Sequence, residues 1–158
     1  MLYMIEPIEY MQRTRRFYEA RGFAPYQWAQ HTTIPWQQPH KALEHSRVAL
    51  ITTAVPDETV PKPTRTATSW ALSDAPAHFG TQELSWDKHT THTDDRRSYF
   101  PLEDLLDAAQ SGYIGSVAPR FHFVPTQFSQ RQSVNVDGPA IARACLDDEV
   151  DIAILVPL

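Results

Sequence analysis

Two short apolar runs, residues 47–54 (RVALITTA) and 151–158 (DIAILVPL), constrain the fold of this chain more than any other feature. Each is nearly continuous in Val, Ile, Leu and Ala and too short for an ordinary helix, the pattern of a strand covered on both faces. Such strands belong to parallel sheets, whose crossover connections lay helices against the sheet. The intervening sequence supplies those helices. In FPLEDLLDAAQSG (residues 100–112), Pro101 opens a helix and Leu102, Leu105, Leu106 and Ala109 recur at helical spacing. Glu103 and Asp104 complement the dipole of its first turn, and Gly112 closes it. A further helix is expected over about residues 139–147, with Asp137 near its cap and Ile141, Ala144 and Cys145 facing inward. The order strand, loop, helix, loop, helix, strand predicts an open, mainly parallel α/β sheet flanked by helices in Rossmann-like layers. With 158 residues, one domain spanning 1–158 is expected, its sheet core in 46–158.

Residues 1–45 read differently. Pro7 suits a first helical turn and Gly22 a stop, so a helix is expected over about residues 7–21, with Ile8, Met11 and Tyr18 on one face. Arg13, Arg15, Arg16 and Arg21 are interleaved with Glu6, Glu9 and Glu19, as on a solvated helix face. Residues 23–42 carry Tyr26, Trp28, Pro35, Trp36 and Pro39 with neither hydrophobic period, which predicts an extended arm packed by its aromatics. Residues 56–76 are rich in Pro, Thr and Ser and read as a loop.

The net charge of −5, with ten acids against five arginines from Asp94 onward, disfavours nucleic-acid binding. One cysteine allows neither an intrachain disulfide nor a cysteine-based zinc cluster. The opening MLYMIEPIEYMQ is interrupted by acids and a proline, unlike a signal peptide, and no run approaches a membrane span. Cytoplasmic residence without a membrane partner is the expectation. Neither GxGxxG nor GxxxxGK occurs, so no nucleotide cofactor is indicated.

Ligands of open α/β sheets bind beyond the carboxyl ends of the strands. Thr52 and Thr53 end the first apolar run and can offer hydroxyls and N–H groups to an anionic substrate group, or simply cap the strand. Arg120 and His122, alternating with Phe121 and Phe123 in APRFHF, form a second candidate pair. An arginine there can clamp a substrate carboxylate bidentately, or it can form a structural salt bridge with Asp95 or Asp137. In KHTTHTDD, His89 and His92 stand three apart with Asp94 following, so a divalent metal on His89, His92 and Asp94 is one reading and a polar surface loop is the other. Without a metal, His92 can relay a proton to a leaving group. Cys145, facing inward beside acids at 147–149, reads as a buried structural thiol. Trp28, Trp36, Trp70 and Trp86 read as packing residues.

Four blocks taken in order carry a resemblance: YMQRTRRFYEARGFAPYQWAQ, RVALITTA, FPLEDLLDAAQSGYIGSVAPRFHF and VDIAILVPL. Together they resemble the selenoprotein B family of glycine, sarcosine, betaine and D-proline reductases and its cysteine-containing bacterial relatives, with FPL followed by IGSVAPR the most specific part. In that family the strand resembling VDIAILVPL leads into a loop bearing the redox-active cysteine or selenocysteine. The resemblance therefore implies an N-terminal half or subunit of a thiol- or selenol-dependent reductase. Its nucleophile would come from a missing C-terminal segment or a second polypeptide. The substrate would be a small amino-acid-like molecule or amine, and the reductant a dithiol. The expected site is His92 and His122 as proton-handling groups, with Thr52, Thr53 and Arg120 holding substrate. The alternatives are a metal-dependent module on His89, His92 and Asp94, and a non-catalytic partner whose last strand completes a companion's sheet.

Overall fold

The computed structural model describes residues 9–25, 27–57, 66–81, 89, 92–126 and 129–158. Pro7, Ile8, Tyr26, Trp86 and residues 58–65 of the expected loop lie outside these. The chain divides into two units, 1–36 and 37–158.

The first unit contains α1 (Tyr10–Glu19), which ends where Gly22 adopts a left-handed φ of 75° and the Phe23 N–H closes back on the Tyr18 carbonyl. Phe17, Tyr18 and Phe23 stack edge to face, with the Arg21 guanidinium 3.5 Å from the centre of the Phe17 ring. The arm after α1 is irregular as expected, but its aromatics are not buried within this unit: Phe23, Trp28 and Trp36 are exposed.

In the second unit the first apolar run forms β1 (Arg47–Thr52) and the last forms β5 (Ile152–Val156), paired in parallel over Val48–Thr52. On the other side of β1 lie β3 (Ser116–Val117) and β4 (Arg120–Phe123), also parallel to it and separated by Ala118 and Pro119. Beyond β4, β2 (Thr68–Ala71) runs antiparallel. The sheet is thus α/β, open and mainly parallel. The segment expected as loop over 56–76 therefore contains a strand. Four residues of Thr, Ser, Trp and Ala carry too little apolar alternation to reveal one, and β4 supplies the pairing that makes it.

Cross-strand partners share a face of the sheet. Val48, Leu50, Thr52, Trp70, Phe121 and Phe123 face one way, against α2 (Leu102–Gln110). This face holds the core: Val48, Leu50 and Phe121 pack with Leu102 and Leu105 of α2, with Ile114, and with Phe79, Tyr99 and Phe100. The ring centroids of Phe100 and Phe121 lie 4.9 Å apart and those of Phe79 and Phe100 4.7 Å apart. α2 follows its sequence pattern except that Leu106 is half exposed, because Leu102 and Leu105 already fill the contact. Gly112 closes the helix at φ 74°. Gly115, at the start of IGSVAPR, has a different task. A Cβ there would stand 2.7 Å from the backbone of His45, so only glycine lets the two segments approach.

Ala49, Ile51, Ser69, Ala71, Arg120 and His122 face the other way, against a helix that begins earlier than expected. It runs as α3 (Gln130–Gln132), a π-turn over Ser133–Asp137 and α4 (Gly138–Asp147). Pro139 reads in the sequence as a helix start. Here it lies inside a longer helix, and the π-turn accommodates its missing N–H and its ring.

β5 departs most from expectation. It is an edge strand whose only pairing among the described residues is with β1, and Ala153, Ile154 and Leu155 are exposed. Its continuous apolar sequence, read as burial on both faces, therefore marks a strand covered on only part of one. Among the described residues no helix is long and apolar enough to cross a membrane.

Phe121→Ala is expected to destabilise the chain by about 3–5 kcal/mol, because it empties the centre of the aromatic core. Leu155→Ala, at an exposed position, is expected to change stability by less than about 1 kcal/mol. Urea denaturation of the two variants checks both values, and equal losses would contradict this assignment of core and edge.

Candidate functional site

The carboxyl ends of β1, β4 and β5 lie along one edge of the sheet. Thr52 is the last residue of β1 there, and Thr53 follows it. Thr52 is buried on the α2 face; its hydroxyl donates to the Tyr99 carbonyl at 3.0 Å and accepts the Ala54 N–H at 3.1 Å. That hydroxyl is spent inside the core, so Thr52 holds the fold rather than a substrate. Thr53 follows the strand, and its Oγ1 accepts the Leu158 N–H at 2.8 Å. This bond ties the chain leaving β5 to the chain leaving β1. Just beyond, Val55 pairs with Gly80, and the Thr81 hydroxyl meets that of Thr93 at 2.8 Å. The segment carrying His92 and Asp94 is thereby anchored to the same edge.

His92 and Asp94 are both exposed, with Nδ1 and Oδ2 3.6 Å apart. Among the described residues no group of three His, Cys, Asp or Glu side chains is arranged to hold a metal ion, so His89, His92 and Asp94 are not seen to assemble as a ligand set.

Arg120 does not stand free. Its Nε and one terminal nitrogen donate to the two Asp148 oxygens at 2.8 and 3.0 Å, and that terminal nitrogen also reaches the Ala144 carbonyl at 3.1 Å. The structural salt bridge considered with Asp95 or Asp137 exists, but with Asp148, which the turn after α4 brings over β4. The Asp148 hydrogen bonds hold the guanidinium pKa above its usual value despite partial burial. Holding a substrate carboxylate would require this clamp to open.

His122 is fully buried beneath α4. Its Nδ1 lies 2.9 Å from the Ser69 hydroxyl, and its Nε2 lies 3.6 Å from the Cys145 sulfur. Burial, reinforced by Arg120, pushes the imidazole pKa down. Burial, reinforced by Asp148, pushes the thiol pKa up. The pair is thus a neutral imidazole against a neutral thiol, a contact between β4 and α4 rather than an activated nucleophile. Cys145 is half buried, less covered than its sequence context suggests.

One line of polar groups therefore runs under α4: Asp137, Ser69 with His122 and Cys145, then Arg120 with Asp148. Three of its members, Ser69, Asp137 and Asp148, carry no site signal in the sequence. Ser69 lies in a strand that only its pairing reveals, and Asp137 reads as a cap because Pro139 follows it. Asp148 needs the turn that returns the chain from α4 to β5.

His122 sets a pH dependence. The unfolded imidazole takes a proton near about pH 6.5 while the folded ring resists, so the unfolded state binds more protons below that value. Stability is expected to fall as pH drops through about 6.5, by at most about 1.4 kcal/mol per pH unit, until the native ring also protonates. Denaturation midpoints from pH 7.5 to 5 check this, and His122→Gln should flatten the profile in that window. Breaking the clamp with Arg120→Ala is expected to cost about 2 kcal/mol, and a double-mutant cycle with Asp148→Asn should return most of it as coupling.

No protein-family model, curated protein or solved structure matches this chain.

Proposed function

We propose that this chain is the N-terminal half or a subunit of a thiol- or selenol-dependent reductase that cleaves a carbon–heteroatom bond in a small amino-acid-like or amine substrate. The resemblance of its four sequence blocks to the selenoprotein B family motivates the reading. The bond from the Leu158 N–H to Thr53 Oγ1 is the structural observation that supports it most directly. That bond puts the exit of β5 beside the exit of β1, on the edge where open α/β sheets bind ligands. A redox cysteine or selenocysteine entering beyond Leu158, from a continuation or a second chain, would arrive beside Thr53 and the His92 segment.

The net chemistry balances with a dithiol. Its two thiols supply two electrons and two protons and become a disulfide, while the carbon–heteroatom bond becomes one C–H and one heteroatom–H bond. The soft, ionised sulfur or selenium makes the first attack, and an acid must protonate the departing heteroatom. His92, exposed and beside Asp94, is the imidazole proposed to deliver that proton. Thr53 positions the incoming loop, whereas His122 supports the site from below by fixing β4 to α4. A reducing cytoplasm suits a pathway that depends on a dithiol.

A second reading, a non-catalytic partner that completes a companion's sheet, draws support from the open edge of β5 and the exposure of Ile154 and Leu155.

Native purification with intact-mass measurement tests the two readings. The reductase reading expects either a longer chain or a co-purifying polypeptide with a redox cysteine or selenocysteine, together with dithiol-dependent substrate cleavage. The partner reading expects a stable complex without turnover. Turnover by the 158-residue chain alone would sink the split site. In the active assembly, Thr53→Val is expected to lower kcat roughly tenfold through a misplaced loop while leaving the fold intact.

A further inference from the structure

We infer that Asp137 is the receptor for a small N–H-bearing cation, a primary or secondary ammonium, at the carboxyl edge of the sheet. Its side chain is only 1% exposed. Oδ1 accepts the Ala67 N–H at 3.0 Å, and Oδ2 is buried with no hydrogen-bond partner among the described residues. A buried carboxylate with one neutral donor is under-compensated, and natural structures rarely tolerate that without a cation or a further donor. Glu103 shows the contrast. One of its oxygens is also unpartnered, but the other is paired with Arg96, so its charge is balanced.

Three arginines on this helix and its neighbours are already committed, while Arg131, six residues before Asp137, is exposed. Arg120 is held by Asp148, Arg143 by Asp147, and Arg47 by the Asp148 carbonyl and Glu149. The partner of Asp137 is therefore not one of them. A metal ion fits poorly, since it would call for several ligating side chains and no such group forms among the described residues.

Position supplies the second argument. Ala67 directly precedes β2, whose Thr68 pairs with Phe123, the last residue of β4. Asp137 thus stands at the carboxyl end of a parallel strand. The π-turn that ends at Asp137 is the kind of helix irregularity that often marks a ligand site, and Ile141, one turn on, is buried. Because the missing interaction is a hydrogen bond, an ammonium bearing N–H satisfies Oδ2, whereas a quaternary ammonium supplies charge without a donor. The role of this site in turnover rests on the proposed reductase reading, but the binding itself does not.

Titration of the isotopically labelled full chain with ethylammonium chloride tests the inference, with tetramethylammonium chloride at equal ionic strength as the control. The expected result is a saturable shift of the Ala67 amide signal with ethylammonium alone, and affinity at least roughly tenfold weaker in Asp137→Asn. Equal responses to the two salts, no response at Ala67, or unchanged binding by Asp137→Asn would overturn it. Should Asp137→Asn fail to fold, the comparison of the two salts on the unaltered chain decides alone. No reductant or second polypeptide enters this measurement, so its failure is distinct from failure of the reductase reading.

Discussion

Everything in the larger unit hangs on the double pairing of β1. Residues 47–52 bond to β3 and β4 on one side and to β5 on the other, so two stretches distant in sequence, 116–123 and 152–156, are registered against six residues. A one-residue slip would turn Val48 and Leu50 out of the aromatic core and push Ile51 and Arg47 into it. Asp151 guards the register at the start of the strand. Its carboxylate accepts the Arg47 N–H at 2.8 Å and the Lys41 ammonium at 2.9 Å, and these contacts hold its pKa below the ordinary value. Thr53 and Leu158 do the same at the far end. β1 and β5 are thus pinned at both ends by polar side chains and along their length by backbone bonds.

That arrangement explains what the sequence disclosed and what it hid. β1 is legible because it is covered on both sides, so its apolar run and its environment agree. α2 is legible because Pro101, Gly112 and the leucine spacing are all local signals. β5 has the same kind of apolar run, yet among the described residues it is an edge strand, and no local pattern distinguishes an exposed apolar strand from a covered one. β2 is hidden for the opposite reason: its four residues become a strand only because β4 lies beside them. The early start of the α4 helix is masked by Pro139, a residue that ordinarily begins a helix and here is absorbed by a π-turn.

The candidate site divides along the same line. Thr53, Arg120 and His122 are polar residues in or beside strands, and His92 stands three residues from His89, features which pattern reading can select. Their roles depend on which face each occupies, and that follows only from register. Thr52 and Thr53 are neighbours in sequence, yet one is spent in the core and the other meets the end of β5. Arg120 and His122 share a face, and α4 claims both.

The polar line under α4 has a physical consequence for how this face can work. A core of phenylalanines on the α2 side tolerates no unpaired charge, and the described residues put none at its centre. On the α4 side the helix is held by a clamped guanidinium, a neutral imidazole against a neutral thiol, and a carboxylate with one oxygen unmet. Each contact is directional and depends on protonation or charge, unlike apolar packing. The α2 face is therefore the rigid support, and the α4 face is the side on which binding of a charged group can alter the balance of forces. Placing the proposed chemistry at the edge where these faces meet lets a firmly registered β1 carry Thr53 while the adjustable partners stand on the other layer.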